Sequence, residues 1–321
     1  MNYHKRKDLQ FSRPVHFVSM NLSQKEIHAA VQAALAEDIG KGDATTLATV
    51  PENLLAHAAM RAREPMVVAG IQFAETAFCE MTSKYFRMDG LLKSGTRRTR
   101  PSEIKFARSI ADGQRVAAGS TLLKISGPGR AVLSAERVAL NFVQRLSGIA
   151  TLTAQFVKAV RGTKTKILDT RKTTPGWRRF EKYAVFCGGG KNHRFGLDDM
   201  ILIKDNHLAA LKGERTNAVV AAISRARNKF PNLKIEVEAD TLEQVRQAVD
   251  AGAEMILLDN MNLKELRQAV KIINSRAKTE ASGGVNLNNV RAIAHTGVDY
   301  ISVGALTHSA RAVDIGLDFE P

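Results

Sequence analysis

The sequence predicts an α/β protein in two parts: an antiparallel sheet with helices, then a parallel sheet closed, or nearly closed, into a barrel. Two observations carry this. From Thr165 onward the short apolar runs "KILD", "MILIK", "KIEVEA", "MILLD", "KTEAS" and "YISVG" recur, and helical segments such as "TLEQVRQAVDAG", "NLKELRQAVKIIN" and "NLNNVRAIAHTG" separate several of them. Alternation of this kind requires parallel strands joined by helical crossovers, and six such strands suit a barrel better than an open sheet. No G-x-G-x-x-G follows the first strand, as a dinucleotide-binding fold would require. The second observation lies upstream. Residues from Leu55 to Ile125 mix short apolar runs with turns, as in "HAAMRAREPMVVAGI" and "DGQRVAAGSTLLKISGPG", the pattern of antiparallel strands with one or two helices.

The elements follow in order. Residues 1–22 are basic and lack an apolar stretch, so they are no secretory signal and are expected to form a mobile extension, part of which a partner could order. Asp8 and the lack of a Ser/Arg-rich period argue against a transit peptide. Ser23 and Glu26 form a capping-box pattern at the head of a helix that Gly40 and Gly42 end. The segment from Leu91 to Lys105, "LLKSGTRRTRPSEIK", is polar and basic and predicts a loop. "SAERVALNFVQRLSGIATLTAQFVKAV" predicts a long helix with Ser134 as its N-cap and Gly148 as a break or bend. Thr241 and Gln244 form another capping box, and Gly252 and Gly297 stand where C-terminal glycines belong.

Composition narrows the function. A chain of 321 residues has room for two domains. No stretch approaches the ~20 apolar residues of a membrane span. Cys79 and Cys187 make no disulfide framework, which points to a reducing, cytoplasmic setting. A net charge of +15, from 47 basic and 32 acidic residues, raises nucleic-acid binding as a candidate. The cations are dispersed, however, and Trp177 is the only tryptophan, so the stacking platforms of single-strand binders are wanting. A small anionic substrate fits better.

The polar residues point to where it binds. Thr170, Arg171 and Lys172 follow the first barrel strand, Lys204 closes the second and Glu238 lies near the end of the third. Asp259 closes the fourth, Ser282, Gly283 and Gly284 follow the fifth, and Gly304 follows the sixth. In a barrel those ends converge on one mouth, where active sites sit. Arg171, Lys172, His193, Arg194 and Lys204 form a cationic group, and between Thr170 and Arg194 only Glu181 is acidic. Glu238 and Asp259 form an acidic pair suited to a divalent ion or to a developing positive charge. The glycine clusters "SGG" and "VGA" suit phosphate. Each residue has a blander reading: Glu238 as a surface salt-bridge partner, Asp259 as the cap of the next helix, His193 as an ordinary polar histidine, the triple glycine as a plain loop. Their joint placement favours function. Cys187 lacks an indicated base and reads as a small buried residue. The residues therefore predict a phosphate-bearing substrate, a carboxylate-bearing partner and Mg²⁺.

The motifs "ERVALNFVQRLSGIATLT", "DTRKTTPGWRRFEKYAVFCGGGKNHRFGLDDMILIKDNH", "IEVEADTLEQ", "MILLDNM" and "SGGVN" resemble the quinolinate phosphoribosyltransferase family from about Ser23 to the C-terminus. The resemblance implies an N-terminal α/β sandwich domain over 23–137, an incomplete parallel α/β barrel over 138–305, and a C-terminal segment, 306–321, that packs back on the first domain. It implies transfer of phosphoribosyl from phosphoribosyl pyrophosphate to quinolinate with Mg²⁺ and loss of CO₂. Arg137, Thr170, Arg171, Lys172, His193, Arg194 and Lys204 would hold quinolinate, with Arg137 donated across a homodimer that itself could build a hexamer. Lys172, Glu238, Asp259, Ser282, Gly283, Gly284, Val303, Gly304, Ala305 and His308 would bind phosphoribosyl pyrophosphate. Glu238 and Asp259, directly or through water, would hold the metal, and with Lys204 would carry the catalysis. The glycines after Cys187 would let the chain wrap closely around the site. Three departures from the family pattern stand out: the long basic segment at Gly90 to Lys105, the N-terminal extension, and Trp177 where a smaller apolar residue is usual. A related barrel transferase of molybdenum-transport operons, with another acceptor, is disfavoured by "LIKDNH" and "GGGKNHR". An RNA-binding protein on a retired enzyme scaffold is disfavoured by the intact acidic pair.

Overall fold

In the computed structural model the described residues are 20–90, 103–211 and 217–320, without the side chains of 85–90. The first part comprises α1 (Gln24–Ile39), α2 (Ala44–Thr49), β1 (Leu55–Ala62), β2 (Met66–Val67), α3 (Ile71–Gly90), β3 (Lys105–Arg108), β4 (Arg115–Val116) and β5 (Thr121–Pro128). The helix α4 (Gly129–Ala159) then leads into β6 (Lys166–Leu168), α5 (Arg178–Cys187), β7 (Ile201–Ile203), α6 (Asp205–Ala209), α7 (Ala218–Lys229) and β8 (Ile235–Ala239). The chain ends with α8 (Leu242–Asp250), β9 (Met255–Asp259), α9 (Leu263–Ile273), β10 (Lys278–Ser282), α10 (Val290–Ala294), β11 (Tyr300–Ser302), α11 (Ala305–His308) and β12 (Ile315–Glu320).

Two sheets organise these elements. The first is antiparallel, in the order β12-β1-β5-β3. The second is parallel and six-stranded, in the order β6-β11-β10-β9-β8-β7. Among the described residues β6 and β7 do not pair, so the barrel is incomplete. The outer edge of β6 is covered instead by the loop after α5, where Lys191 N–H donates to Ile167 O at 2.8 Å and Asp169 N–H donates to Lys191 O at 3.1 Å. That contact satisfies edge backbone groups that would otherwise be open to water. The last strand, β12, pairs with β1 from His57↔Glu320 to Ala62↔Ile315, and Arg61 bonds Glu320 across it at 2.6 Å.

The capping boxes at Ser23–Glu26 and Thr241–Gln244 form as the sequence predicts, and Gly252 and Gly297 adopt φ of 81° and 92° just past their helices. Two helix expectations are corrected. The long helix begins at Gly129 after Pro128, so Ser134 lies inside it and its hydroxyl donates to Asp43 Oδ2 at 2.7 Å. Continuation of the helix upstream buries Ala131 and Val132, which outweighs the local capping preference of a serine. Nor does Gly148 break it. A Cβ there would collide with the backbone carbonyl of Arg311, so the glycine admits the C-terminal segment against α4. Gly148→Ala is expected to cost about 1–3 kcal/mol or more, because the obstruction is backbone and cannot rotate away. A urea midpoint unchanged from wild type would refute that.

The core runs continuously through both sheets. Phe73 of α3 stacks on Phe142 of α4 at 4.7 Å, and Phe142 stacks on Trp177 at 4.9 Å, so α4 joins the first part to the barrel through a column of rings. Trp177, the bulkier residue noted above, is thus accommodated in the column. Of the segment 1–22, residues 1–19 lie outside the described residues. Met20 is buried and Asn21 O accepts from Arg179 at 3.1 Å, so the end of that segment is tied down. The basic segment at 91–102 also lies outside the described residues.

Candidate active site

A parallel barrel strand turns alternate side chains inward, and the strands' C-terminal ends bring the candidate residues to one end of the sheet. Asp259 pairs in register with Ser282, and Glu238 lies opposite Leu257, two residues before Asp259. Lys204 directly follows β7, and its ammonium is in ion-pair contact with Glu238. The salt-bridge reading of Glu238 is therefore correct as geometry, but its partner is another candidate residue. Asp259 does not cap the next helix. Asn262 does so, accepting from Lys264 N and Glu265 N, while Asp259 Oδ2 accepts from Asn260 Nδ2 at 2.7 Å.

The two glycine clusters have separate reasons. Gly283 has φ of 96°, and a Cβ there would collide with the Asn260 side chain. At Gly304 a Cβ would press on Lys172 Cδ and His308 Nε2, both at 3.1 Å. Lys172, Gly304 and His308 are thus neighbours, and Thr307 Oγ1 fixes Lys172 by donating to its carbonyl at 2.7 Å. Ala305 opens α11 beside them. Val303 is 1% exposed and its N–H donates to Leu168 O, so it anchors the loop and offers that donor to nothing else. Thr170 Oγ1 accepts from Lys172 N at 3.0 Å, which shapes the turn after β6.

The cationic stretch is built around buried acids. Glu181, its sole carboxylate, is fully buried and accepts from Arg145 at 2.9 Å, from Thr174 Oγ1 at 2.9 Å and from Thr174 N at 3.1 Å. Asp169 and Lys182, both fully buried, pair at 2.5 Å. Asp169 also accepts from His193 N at 2.8 Å and Asn192 Nδ2 at 2.6 Å, and Lys182 donates to His193 O at 3.1 Å. Burial raises the Asp169 pKa and lowers that of Lys182, and their mutual attraction opposes both shifts. The triple glycine is corrected here. Cβ atoms on Gly188 and Gly190 would run into Thr153 of α4, at 2.6 Å and 2.9 Å, so those two glycines let the end of α5 close onto α4.

What remains at the mouth is unbalanced positive charge. Burial, and then the neighbouring Arg171, hold the Arg194 pKa below its usual value. Arg171 Nε is buried with no hydrogen-bond partner. Two adjacent guanidiniums with an orphaned donor make a receptor for an anion. His193 sits below them, and both its ring nitrogens are used by the protein. Nε2 meets Glu236 Oε2 at 2.9 Å and Glu280 Oε2 at 3.4 Å, while Nδ1 accepts the Arg194 backbone N–H at 2.8 Å. Burial opposes a charge on this ring, and the carboxylates of Glu280 and Glu236 draw a proton toward it. A ring protonated on both nitrogens has no lone pair for the Arg194 N–H, so the hydrogen bonds favour the neutral tautomer with its proton on Nε2. The acids also hold protons more tightly than usual: burial and then Glu280 push Glu236 up to about 7. His193, expected from sequence to hold quinolinate, thus has both ring nitrogens engaged by protein groups.

Glu236, Glu280, Asp169 and Lys182 were not singled out by sequence reasoning. For the two glutamates a signal existed. Each lies two residues before a named mouth residue, Glu238 or Ser282, and so on the same inward face one layer deeper.

Comparison with known proteins agrees with this geometry. Residues 43–147 match the family described as quinolinate phosphoribosyl transferase, N-terminal domain, and residues 149–318 match its C-terminal domain. The chain belongs to the quinolinate phosphoribosyl transferase family. It is 45% identical over 304 residues to the nicotinate-nucleotide pyrophosphorylase [carboxylating] of Mycobacterium leprae, covering 92% of this chain and 99% of that one. It is 40% identical over 313 residues to quinolinate phosphoribosyltransferase [decarboxylating] 1b of Nicotiana tabacum, covering 92% and 83%. The solved nicotinate-nucleotide pyrophosphorylase of Francisella tularensis superposes with a TM-score of 0.83 at 36% identity, covering 94% of this chain and 98% of that chain. The family's two-part architecture, an antiparallel-sheet unit and a parallel-sheet unit, is the one described above.

Proposed function

We propose that this enzyme transfers the phosphoribosyl group of phosphoribosyl pyrophosphate to quinolinate with loss of CO₂, forming nicotinate mononucleotide and pyrophosphate, a step of NAD synthesis. The observation that carries the reading is the Arg171–Arg194 pair with its orphaned buried donor. Quinolinate carries two carboxylates on adjacent ring carbons. Each opposite charge at ~4 Å contributes about 4 kcal/mol at an effective dielectric of ~20, so several cations are needed to offset desolvation of a dianion. Arg171 and Arg194, with Lys204 and Lys172 at the rim, supply them, and Thr170 adds a neutral hydroxyl beside them.

The acidic pair serves the other substrate. Glu238 and Asp259 end neighbouring strands, and hard carboxylate oxygens at a phosphate-binding mouth suit Mg²⁺, bound directly or through water. When bound, the ion supplies neutralisation of the pyrophosphate charge. Ser282, Gly283 and Gly284 on one side, and Gly304, Ala305, His308 and Lys172 on the other, would hold phosphates. In the transfer the quinolinate nitrogen bonds to ribose C1′ as the C1′–oxygen bond breaks and its electron pair leaves with pyrophosphate. Glu238 and Asp259 stabilise the positive charge that develops on the ribose. Loss of CO₂ then leaves an electron pair on the ring carbon, which takes a proton. Lys204 and the arginines favour that build-up of electrons.

Arg137 is exposed on α4 and has no ion pair or hydrogen bond among the described residues. We infer that it completes the acceptor site of a second subunit, making the enzyme a homodimer, or a hexamer built from dimers. Two free cysteines fit a cytoplasmic setting, and no helix among the described residues is long and apolar enough to cross a membrane.

Acceptor choice tests the reading. Quinolinate is expected to be turned over, with nicotinate mononucleotide detected by mass spectrometry, and nicotinate to be turned over negligibly. Comparable kcat/KM for the two acids would dispose of the dicarboxylate argument.

A further inference from the structure

Glu236 and Glu280 lie beneath the mouth, fully buried, and three of their four carboxylate oxygens have no hydrogen-bond partner. Burying two acids side by side is costly unless they serve a geometry that apolar residues cannot provide. The geometry here is a relay. Glu236 Oε2 accepts from His193 Nε2, which places the ring's only proton on that nitrogen. The lone pair is thereby left on Nδ1, where it receives the Arg194 N–H at 2.8 Å. That bond fixes the backbone from which the Arg194 guanidinium projects, and a further bond from Arg194 Nη1 to Met200 O at 3.1 Å limits its swing. Asp169 and Lys182 hold the His193 backbone from the other side, so the ring and the peptide on which it acts are both braced.

From this arrangement we infer that Glu236 and Glu280 are positioning residues for the acceptor site, holding the His193 ring in the one tautomer that fixes Arg194. Glu280, at 3.4 Å from the same nitrogen, is the second acceptor available to the ring. The inference rests on the reading of Arg194 as a carboxylate-binding residue.

The same three side chains could be mistaken for a metal site, since His193, Glu236 and Glu280 each offer an atom within 4.8 Å of the others. The hydrogen bond at Nδ1 argues against it. A metal on Nε2 would need the lone pair there, which moves the proton to Nδ1 and sets it against the Arg194 N–H.

Two measurements on the full chain test the relay. In the ligand-free wild type, long-range ¹H–¹⁵N spectra, assigned with His193→Gln, are expected to show His193 protonated at Nε2 and bare at Nδ1. Protonation at Nδ1 near neutral pH, or a stoichiometric transition metal in the purified protein, overturns the inference whatever the acceptor proves to be. In steady-state kinetics, the double variant Glu236→Leu with Glu280→Leu is expected to raise KM for quinolinate about tenfold or more, with KM for phosphoribosyl pyrophosphate little changed. Glu236→Gln keeps an accepting oxygen and should stay within about threefold of wild type on both. An unchanged quinolinate KM in the double variant, or an equal rise in both KM values with a lowered Tm, overturns it. If that variant does not fold, the spectra of the wild type decide. Failure of the wild type to use quinolinate would count against the proposed function, while the tautomer result would stand apart from it.

Discussion

Arg137→Ala should give a folded protein whose quinolinate turnover falls roughly thirty-fold or more, since truncating one partner of a buried charge contact costs about 2–5 kcal/mol. Folding should survive because the side chain is exposed and supports nothing in its own chain among the described residues. The test of sharing is complementation. Arg137→Ala is mixed with Arg171→Ala, whose own mouth is broken but whose Arg137 is intact. In a shared-site dimer, a mixed pair carries both defects in one mouth and neither in the other. At equal concentrations about half the dimers are mixed, each with one sound site of two, so activity should recover toward a quarter of wild type. No recovery, with subunit exchange shown independently, would mean that Arg137 acts within its own chain.

Asp259→Ala should lower kcat by roughly 10²-fold or more, the usual consequence of removing a group that stabilises charge in the transition state. Quinolinate binding, measured by calorimetry, should be largely intact, because the acceptor cations lie on other strands. Glu238→Ala should lower kcat to a similar extent, but it also removes the ion-pair partner of Lys204. A freed ammonium is expected to tighten quinolinate binding while catalysis falls. Near wild-type kcat in both variants would return the acidic pair to a structural role.

The mouth residues were legible because a parallel barrel turns a one-dimensional fact into a spatial one. A polar residue closing an apolar run lies at a strand's C-terminal end, and all such ends face one way. Thr170, Lys204, Glu238, Asp259, Ser282 and Gly304 could therefore be placed without coordinates. The layer below was harder to read. Glu236 and Glu280 sit inside apolar strands, and period 2 alone assigns them to the inward face without saying what they meet. His193 shows the difficulty from the other side. Its place in "KNHR" marks it as polar and near the arginines, yet the direction of its ring depends on two strands distant in sequence. The glycines at 188 and 190 misled for a related reason. Local backbone freedom and the close approach of another helix leave the same residue type behind, and only the position of Thr153 separates them.

The sequence by itself determined the strand–helix alternation, the helix caps at Ser23 and Thr241, and the family, because each depends on residues close together in the chain or on motifs read directly. The tertiary structure alone decided that Gly148 admits the Arg311 backbone, that Lys204 and Glu238 pair, and that both nitrogens of His193 serve the protein. Those are contacts between segments brought together only by folding, and their energies depend on burial and orientation, which spacing along the chain does not record.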